Sequence, residues 1–319
     1  MLLRSLLLTA IVRAAQLMPT ALMSSILVFS LVYMIPGDPA LAIAGENASA
    51  EQIARLRETL GLNDGFIERY FSWLAGVLQG DLGTSIRSSS IAVSDLLAQR
   101  MPVTLQVVFG AMLTAVLVGV PLGVLAALRQ GSRIDSALTA VSTLGVAAPD
   151  FWIGMMLIQL FAIELGALPG SGLVLVGDDP IRGLIGTLLP AIALGAVGAS
   201  EIARQLRGAM VEVLSSDFVR THRAKGLPER TIVWRRALRN ASVPLVTVSG
   251  LLSARFLGAA VSVEVVFGIT GVGRLIIDSV SQRDYPVIQG LALVIAMFVL
   301  VINLLTDLAY RVIDPRLRA

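Results

Sequence analysis

The chain has 319 residues, of which 55% are hydrophobic and 15% are charged, with 25 basic and 22 acidic residues and a mean hydropathy of +0.81. A typical soluble domain is about 25% charged and lacks long apolar runs, so this composition indicates a membrane protein and argues against nucleic-acid binding. With no Cys and a single His, the sequence excludes disulfides, Cys-based metal sites and two-His metal motifs, and we predict no metal site.

Six segments are apolar over about the 20 residues that a helix needs to cross a bilayer. In the fourth, Glu201 interrupts the end and Pro190 predicts a kink. The sequence therefore predicts an all-α integral membrane protein with six transmembrane helices, near residues 17–35, 103–128, 137–163, 184–203, 243–267 and 287–310.

A cleaved signal peptide is the alternative for the first segment. Arg4 and Arg13 precede the apolar run, and the small residues ALAIAG follow it. The apolar core of a typical signal peptide is about 7 to 15 residues long. The apolar run here is longer, which favours a retained helix.

Basic residues predict the orientation, because cytoplasmic loops are enriched in Arg and Lys. With the amino terminus inside, the cytoplasmic segments hold sixteen basic residues, nine of them between Arg204 and Arg239. The outer loops hold eight, and five of these lie in one long loop, where the rule has little weight. We expect both termini in the cytoplasm.

The long outer loop at residues 37–101 is predicted to form a small extracytoplasmic subdomain. It lies between residues 1–36, which contain the cytoplasmic amino end and the first transmembrane helix, and a membrane domain at 102–319, which contains the other five. SAEQIARLRETLGL predicts a helix that is capped by Ser49, has apolar Ile53, Leu56 and Leu60 on one face, and stops at Gly61. A second helix is predicted at 66–78.

Glycines are frequent in the apolar segments and allow helices to approach closely. The alternative is ordinary membrane packing without mobility. The residues concerned are Gly110, Gly119, Gly123, Gly154, Gly195, Gly198 and Gly258.

A basic cytoplasmic segment, DFVRTHRAKGLPERTIVWRRALRNASVPLV at residues 217–246, contains the only Lys and the only His. Ser215 or Ser216 with Asp217 can cap a helix, Gly226 can end it, and Pro228 fits the first turn of a second helix at 229–239. We expect the first helix to present a polar surface and the second to anchor it. From charge alone, the positive-inside rule or contact with anionic lipid is an equal alternative.

The phosphate-binding loop of ATPases requires Gly-Lys-Ser/Thr, whereas Lys225 is preceded by Ala224 and followed by Gly226. The chain is therefore not expected to bind ATP in that way, and no catalytic residue is predicted.

The order of residues in this segment resembles the EAA loop of permease subunits of bacterial ABC importers, in the dipeptide, oligopeptide and nickel family. There the loop commonly reads like DYVRTARAKGL followed by HALRNALIP. The matching residues are Asp217, Val219, Arg220, Thr221, Arg223, Ala224, Lys225, Gly226, Leu227, Ala237, Leu238, Arg239, Asn240 and Pro244.

Eight further motifs resemble the same family in the same order along the whole chain. They are PGDPA at 36–40, GDLGTS at 80–85, RMPVTL at 100–105, PDFWIG at 149–154, VEVVF at 263–267, GVGRL at 271–275, RDYPVIQG at 283–290 and NLLTDLAYRVIDPRLR at 303–318. The departures are His222, where Ala is usual, Ile269-Thr270, where Trp-Pro often stands, and Arg255 inside the fifth segment.

The resemblance implies a type I ABC importer permease of the inner membrane, which moves peptides or a related small solute and is not itself an enzyme. The loop at 204–240 would hold a coupling helix that sits in a groove of an ATP-hydrolysing subunit. The implied partners are two ATP-binding subunits that carry ATP and Mg, a homologous second permease and an extracytoplasmic substrate-binding protein. The implied contact residues are Asp217, Arg220, Thr221, His222, Ala224, Lys225, Gly226 and Leu227.

The resemblance leaves the solute open among dipeptides, longer peptides, nickel complexes, glutathione and opine-like or glycosidic molecules. Residues 37–101 and 271–285 are plausible docking surfaces for the binding protein, or loops that only cover the ends of the spans.

Two charges in the fifth segment, Arg255 and Glu264, are candidates for the translocation pathway, because charges at bilayer depth are costly. Nine residues at 100° each put them on opposite faces, so they do not pair with each other. Arg255 is expected to meet Glu201, Asp307, a partner subunit or a substrate carboxylate, and the alternative is a structural ion pair. Glu264 lies nearer the outer end, where water alone could reach it.

Two other functions fit the sequence less well. An ion-coupled secondary transporter usually has internal repeats and matching interrupted spans, which are not evident here. An intramembrane hydrolase needs a nucleophile with a base, and His222 lies in the cytoplasmic segment.

Overall fold

The computed structural model describes residues 2–34, 40, 49–59, 63–87 and 91–313. The PGDPA motif except Ala40, the predicted helix stop at Gly61 and the end of the carboxyl-terminal motif lie outside the described residues. The described part contains helices and connecting segments and no strand, only one isolated bridge between Thr84 and Ala92. This agrees with the predicted all-α class.

The first half of the chain forms α1 (Leu2–Met34), α2 (Ala50–Thr59), α3 (Phe66–Leu78), α4 (Val93–Leu128), α5 (Arg133–Ala147), α6 (Asp150–Leu157), which continues as a π-helical segment (Ile158–Glu164), and α7 (Pro180–Ser215). The second half forms α8 (Asp217–Ala224), α9 (Glu229–Thr231), a second π-helical segment (Ile232–Ala237), α10 (Leu238–Asn240), α11 (Ser242–Val266), α12 (Val272–Gln282) and α13 (Tyr285–Ile313).

Four helices among the described residues are long and apolar enough to cross a membrane: α4, α7, α11 and the part of α13 up to Tyr310. The α5 and α6 pair makes a fifth if the two helices count as one broken span, and α1 is apolar over the shorter stretch Ala15–Ser30. The predicted count of six, and the location of both termini, therefore stay predictions.

The predicted third span at 137–163 is not one continuous helix, because its two halves are bent by 102°. Ala148 between them has φ −75° and ψ 128°, and Pro149 begins the next helix in an extended conformation. The proline ring disfavours helical angles in the residue before it, which explains the break. By contrast, α7 contains Pro190 within one helix and continues to Ser215, beyond the predicted end at 203.

The chain divides into two compact units, one made of residues 1–10, 103–270 and 301–319, the other of 11–102 and 271–300. In the first unit, α4 and α7 lie so close that a Cβ on Gly119 would be 2.6 Å from the Ala199 carbonyl oxygen, and one on Gly195 would be 2.6 Å from that of Ala111. These glycines behave as predicted.

The contacts between α4 and α7 advance in the same direction along both helices. Gly110 meets Ala191, and farther along Gly123 meets Ala203. The two helices are therefore parallel, as expected if one span lies between them in the chain. On the other side of α7, a Cβ on Gly198 would be 2.6 Å from the Phe256 ring of α11. Gly258 is an exception to the prediction, because nothing lies within 4 Å of its Cβ position.

The second unit has its own apolar core, made of Val93, Leu96, Leu97, Val272, Val287 and Leu291. The predicted capping of α2 is confirmed: Gln52 donates its backbone N–H to Ser49 Oγ at 3.2 Å, and Ser49 donates its own to Gln52 Oε1 at 2.9 Å. The predicted helix at 66–78 is also confirmed as α3. The division of the chain into a loop subdomain 37–101 and a membrane domain 102–319 stays a prediction.

Candidate functional site

The short cytoplasmic helix α8 begins without the predicted side-chain cap. Ser216 occupies the N-cap position, but its hydroxyl donates to the Val213 carbonyl at 2.6 Å, and Ser215 donates to that of Glu212 at 2.8 Å. Asp217 lies in the first turn, where a carboxylate interacts favourably with the helix dipole, and is 3.2 Å from Arg220.

The end of α8 matches the prediction. Gly226 has φ +73°, which glycine adopts at little cost, and its N–H donates to the Arg223 carbonyl at 2.9 Å. The N–H of Leu227 donates to the His222 carbonyl at 3.3 Å. These two hydrogen bonds form a Schellman motif, so the chain leaves the helix in a defined direction.

An ion pair that the sequence did not predict closes the corner after α8. Arg223 Nε lies 2.6 Å from Glu229 Oε1 across the Gly-Leu-Pro turn. The hydrogen bond from Arg223 holds the pKa of Glu229 below its ordinary value, and the same bond raises the pKa of Arg223. The spacing of six residues across a turn gives no helical signal, which is why sequence reasoning missed it.

The helical segment after the corner anchors α8 on the membrane helices, as predicted, although it is not the single regular helix expected at 229–239. Its central π-helical part has i to i+5 hydrogen bonding, which favours burial of Ile232 and Ala237, five residues apart, on one side. Val233, Ala237 and Ala241 belong to one buried cluster with Val124 and Ala127 of α4 and Leu206 and Met210 of α7.

The predicted contact residues lie together on the surface of α8 and its corner. Val219 is fully buried beneath them. His222 and Leu227 are half-buried, and the others are exposed: Asp217, Arg220, Thr221, Ala224, Lys225 and Gly226.

His222 makes a local contact that the sequence did not suggest. Its Nδ1 lies 2.8 Å from the Phe218 carbonyl oxygen, and its ring centroid lies 4.4 Å from that of Phe218. The side chain therefore packs along α8 beside an exposed aromatic ring.

The two pathway candidates lie in different environments. Arg255 Nη1 is 2.8 Å from Glu201 Oε2, which selects the first of the predicted partners, and the Arg255 side chain is 52% exposed. Glu264 is fully buried and accepts a hydrogen bond from Thr104 Oγ1 at 2.5 Å. Glu264 is therefore not exposed in this structure, its part in the pathway stays a prediction, and the two charges do face different sides of α11.

Comparison with protein families places these features in context. The family of "Binding-protein-dependent transport system inner membrane component" matches residues 119–319, and the family of its amino-terminal part matches residues 5–108. The chain belongs to this family. This permease is an integral protein of the inner membrane, as the sequence predicted.

Relatives support the same assignment. This permease is 40% identical over 296 residues to a probable peptide ABC transporter permease protein of Sinorhizobium fredii, covering 93% of this chain and 94% of the relative. It is 39% identical over 330 aligned positions to the dipeptide transport system permease protein DppB of Escherichia coli, covering 96% and 97%.

Solved structures show the same fold. The permease matches the inward-facing MetNI methionine ABC transporter with a TM-score of 0.57 and 17% identity, over 69% of this chain and 96% of that one. A second crystal form of that transporter gives a TM-score of 0.56 and 20% identity. At this identity the likeness establishes the type I importer fold alone.

Two further polar clusters of the permease were not predicted. Arg207 donates two hydrogen bonds to the Asp135 carboxylate, at 2.5 and 2.7 Å, and joins α7 to the start of α5. Gln106 of α4 donates to Thr187 Oγ1 at 2.7 Å and accepts from the Val176 N–H at 2.9 Å. The partners are 72, 81 and 70 residues apart, so no local pattern could have indicated them.

Proposed function

We propose that this permease forms one half of the translocation pathway of an ATP-driven importer of peptides, and that α8 couples it to a separate ATP-hydrolysing subunit. The observation that carries the proposal is the position of α8. This helix is exposed and has defined ends, and the segment that follows it is buried against the ends of α4 and α7. The peptide substrate is supported by the names of the relatives in Sinorhizobium fredii and Escherichia coli.

The contacts of α8 suit the transmission of force. The Schellman motif at Gly226 and the ion pair of Arg223 with Glu229 fix α8 to the segment that follows. That segment is in turn packed on α4 and α7. Because packed interiors are stiff, a displacement of α8 would move both membrane helices. ATP binding and hydrolysis in partners would then favour one of two states of the pathway.

The proposed complex contains a homologous second permease, two ATP-binding subunits that hold ATP and Mg, and an extracytoplasmic binding protein. This chain would supply no ATPase site. Residues 37–101 and 271–285 are the proposed docking surfaces for the binding protein. The coupling contacts are proposed for the predicted residues of α8 and its corner, and the family assignment favours this function over an ion-coupled secondary transporter.

The test is Gly226→Asp, with Gly131→Asp as the matched control. Both glycines are exposed, have φ near +75° and have open space around the Cβ position, so the two substitutions have similar backbone costs. We expect Gly226→Asp to abolish ATP-dependent peptide uptake at an unchanged membrane level, and Gly131→Asp to retain it. Normal uptake by Gly226→Asp would contradict the coupling role.

Identification of the partners is a separate experiment. Mild purification of the chain should recover an ATPase subunit and a second permease. Recovery of neither would favour the secondary transporter instead.

A further inference from the structure

An exposed stripe runs along α11 with a charge at its centre. Its residues follow one another at intervals of three or four, which places them on one face of the helix. Arg255 lies thirteen residues after Ser242 and eleven before Val266, about 20 Å and about 17 Å from the two ends at 1.5 Å per residue. The stripe consists of Thr247, Leu251, Arg255, Gly258, Ser262 and Val265, all exposed or half-buried.

This face of α11 is suited to a water-filled pathway. An ionisable side chain at the middle of a span is costly in lipid and almost always faces a cavity or another protein segment. Arg255 is 52% exposed although it is paired, and Gly258, almost one turn farther along, has nothing within 4 Å of its Cβ position. A solute therefore has room to approach both the guanidinium and the backbone beside it.

The ion pair leaves hydrogen-bonding capacity on both partners. A guanidinium has five N–H donors, and among the described residues Arg255 uses one nitrogen, Nη1, towards Glu201 Oε2. The other oxygen of Glu201, Oε1, accepts no hydrogen bond from the described residues. The pair can thus offer a donor fork to a carboxylate and an acceptor to an ammonium group.

We propose that Arg255 and Glu201 form a binding site within the translocation pathway for zwitterionic solutes. Arg255 would bind the carboxylate of the solute, and Glu201 would bind its ammonium group. This inference rests on the proposed function, because a peptide with free termini carries both groups. Exchange of the internal ion pair for two ion pairs with the solute keeps every charge balanced at bilayer depth.

The two helices do not depend on this ion pair for contact. Gly198, three residues before Glu201, is packed against the ring of Phe256, the neighbour of Arg255. The close approach of α7 and α11 is therefore made by apolar groups. This argues for a role of the pair beyond holding the helices together.

The experiment compares two double variants in the complete transporter, with alanyl-alanine as the solute and saturating binding protein. Arg255→Gln with Glu201→Gln removes both charges while it keeps similar shapes. Arg255→Glu with Glu201→Arg exchanges the charges and can re-form the ion pair. Initial uptake, thermal stability, ATP hydrolysis and recovery of the second permease are measured for each.

We expect uptake by the double Gln variant to fall about tenfold or more, because a charge-assisted hydrogen bond contributes at least that factor. We expect the exchanged variant to retain wild-type thermal stability and ATP hydrolysis while its uptake stays low, because a solute that enters in the wild-type orientation would meet a like charge at each end. Recovery of both stability and uptake in the exchanged variant would identify a structural ion pair and overturn the inference.

Three outcomes separate the failure of the inference from the failure of the proposed function. Loss of the second permease from the double Gln complex would assign Arg255 to a subunit contact and also overturn the inference. If the wild-type complex shows no ATP-dependent uptake of the dipeptide, the proposed function fails and the inference with it. Wild-type uptake with an equally active exchanged variant overturns the inference alone.

Discussion

The buried carboxylate of Asp284 accepts a hydrogen bond from the Ser85 hydroxyl at 2.5 Å, although the two residues are 199 positions apart. The same carboxylate accepts the backbone N–H of Ile86 at 3.2 Å. Asp284 lies between α12 and α13 and therefore fixes the segment that contains the GDLGTS motif to the turn between these helices. Two motifs that resemble the family at distant points of the sequence thus meet in one polar contact.

Asp284→Ala should destabilise the unit made of residues 11–102 and 271–300 by about 1 to 3 kcal/mol, because it removes the hydrogen bonds that Asp284 accepts from the buried Ser85 hydroxyl and from the partly buried Ile86 N–H. Limited proteolysis of the segment around residues 80–92 and the thermal midpoint are the measurements. Asp278→Ala is the control, since Asp278 is half-exposed and paired with Arg274 at 3.3 Å, where about 0 to 1 kcal/mol is expected. Equal effects of the two variants would contradict the role of Asp284.

Gly119→Ala should also lower stability, because the new Cβ would lie 2.6 Å from the Ala199 carbonyl oxygen and 2.9 Å from the Ile202 side chain. Separation of α4 and α7 to relieve the overlap costs about 1 to 3 kcal/mol. Gly208→Ala on the exposed side of α7 has open space and should be neutral or stabilising. Thermal unfolding of the two variants in detergent makes the comparison, and a neutral Gly119→Ala would show that the helices separate easily.

The sequence predicted features that depend on nearby residues. Ser49 and Gln52 are three apart and form a capping box, and Gly226 was predicted to end α8, which it does in a left-handed conformation. The break of the third apolar segment was also predictable in principle, because Pro149 disfavours helical angles in Ala148. Hydropathy alone hid it, since the segment is apolar on both sides of the bend.

Contacts between distant residues were beyond local patterns. Arg207 with Asp135 and Gln106 with Thr187 join different helices, and any of many polar residues could have been the partner. Arg255 is an intermediate case: bilayer depth required a partner, which reduced the choice to a few, and the structure selected Glu201. The need for a partner at bilayer depth did not predict that Glu264 would be completely buried beside Thr104.

The corner after α8 should weaken in acid. The pKa of Glu229 is lowered by the hydrogen bond from Arg223, so the ion pair contributes stability above the unfolded pKa of this group and loses it as the pH falls through the lower, folded pKa. A variant with Trp73→Phe and Trp152→Phe keeps Trp234 near the corner as the only tryptophan. Its fluorescence should change in this acidic window.

Glu229→Gln in the same background is the control for the acid effect. Because it cannot ionise, the change that is due to the ion pair should be absent from its titration. If the Glu229→Gln variant shows the same fluorescence change with pH as the parent variant, the acid effect belongs to another group.

Met210→Ala tests whether the buried cluster beneath α8 transmits its movement. Met210 is fully buried and packs with Val233 and Ala237 of the supporting segment, and its removal leaves a cavity that costs about 2 to 5 kcal/mol. If α8 is then held less firmly on α7, ATP hydrolysis by the assembled transporter should persist while the amount of solute imported per ATP falls. Met155→Ala is the control, because this side chain is 42% exposed. An equal loss of hydrolysis and import would instead indicate that the cluster only supports folding or assembly, because a coupling defect must lower the ratio of the two.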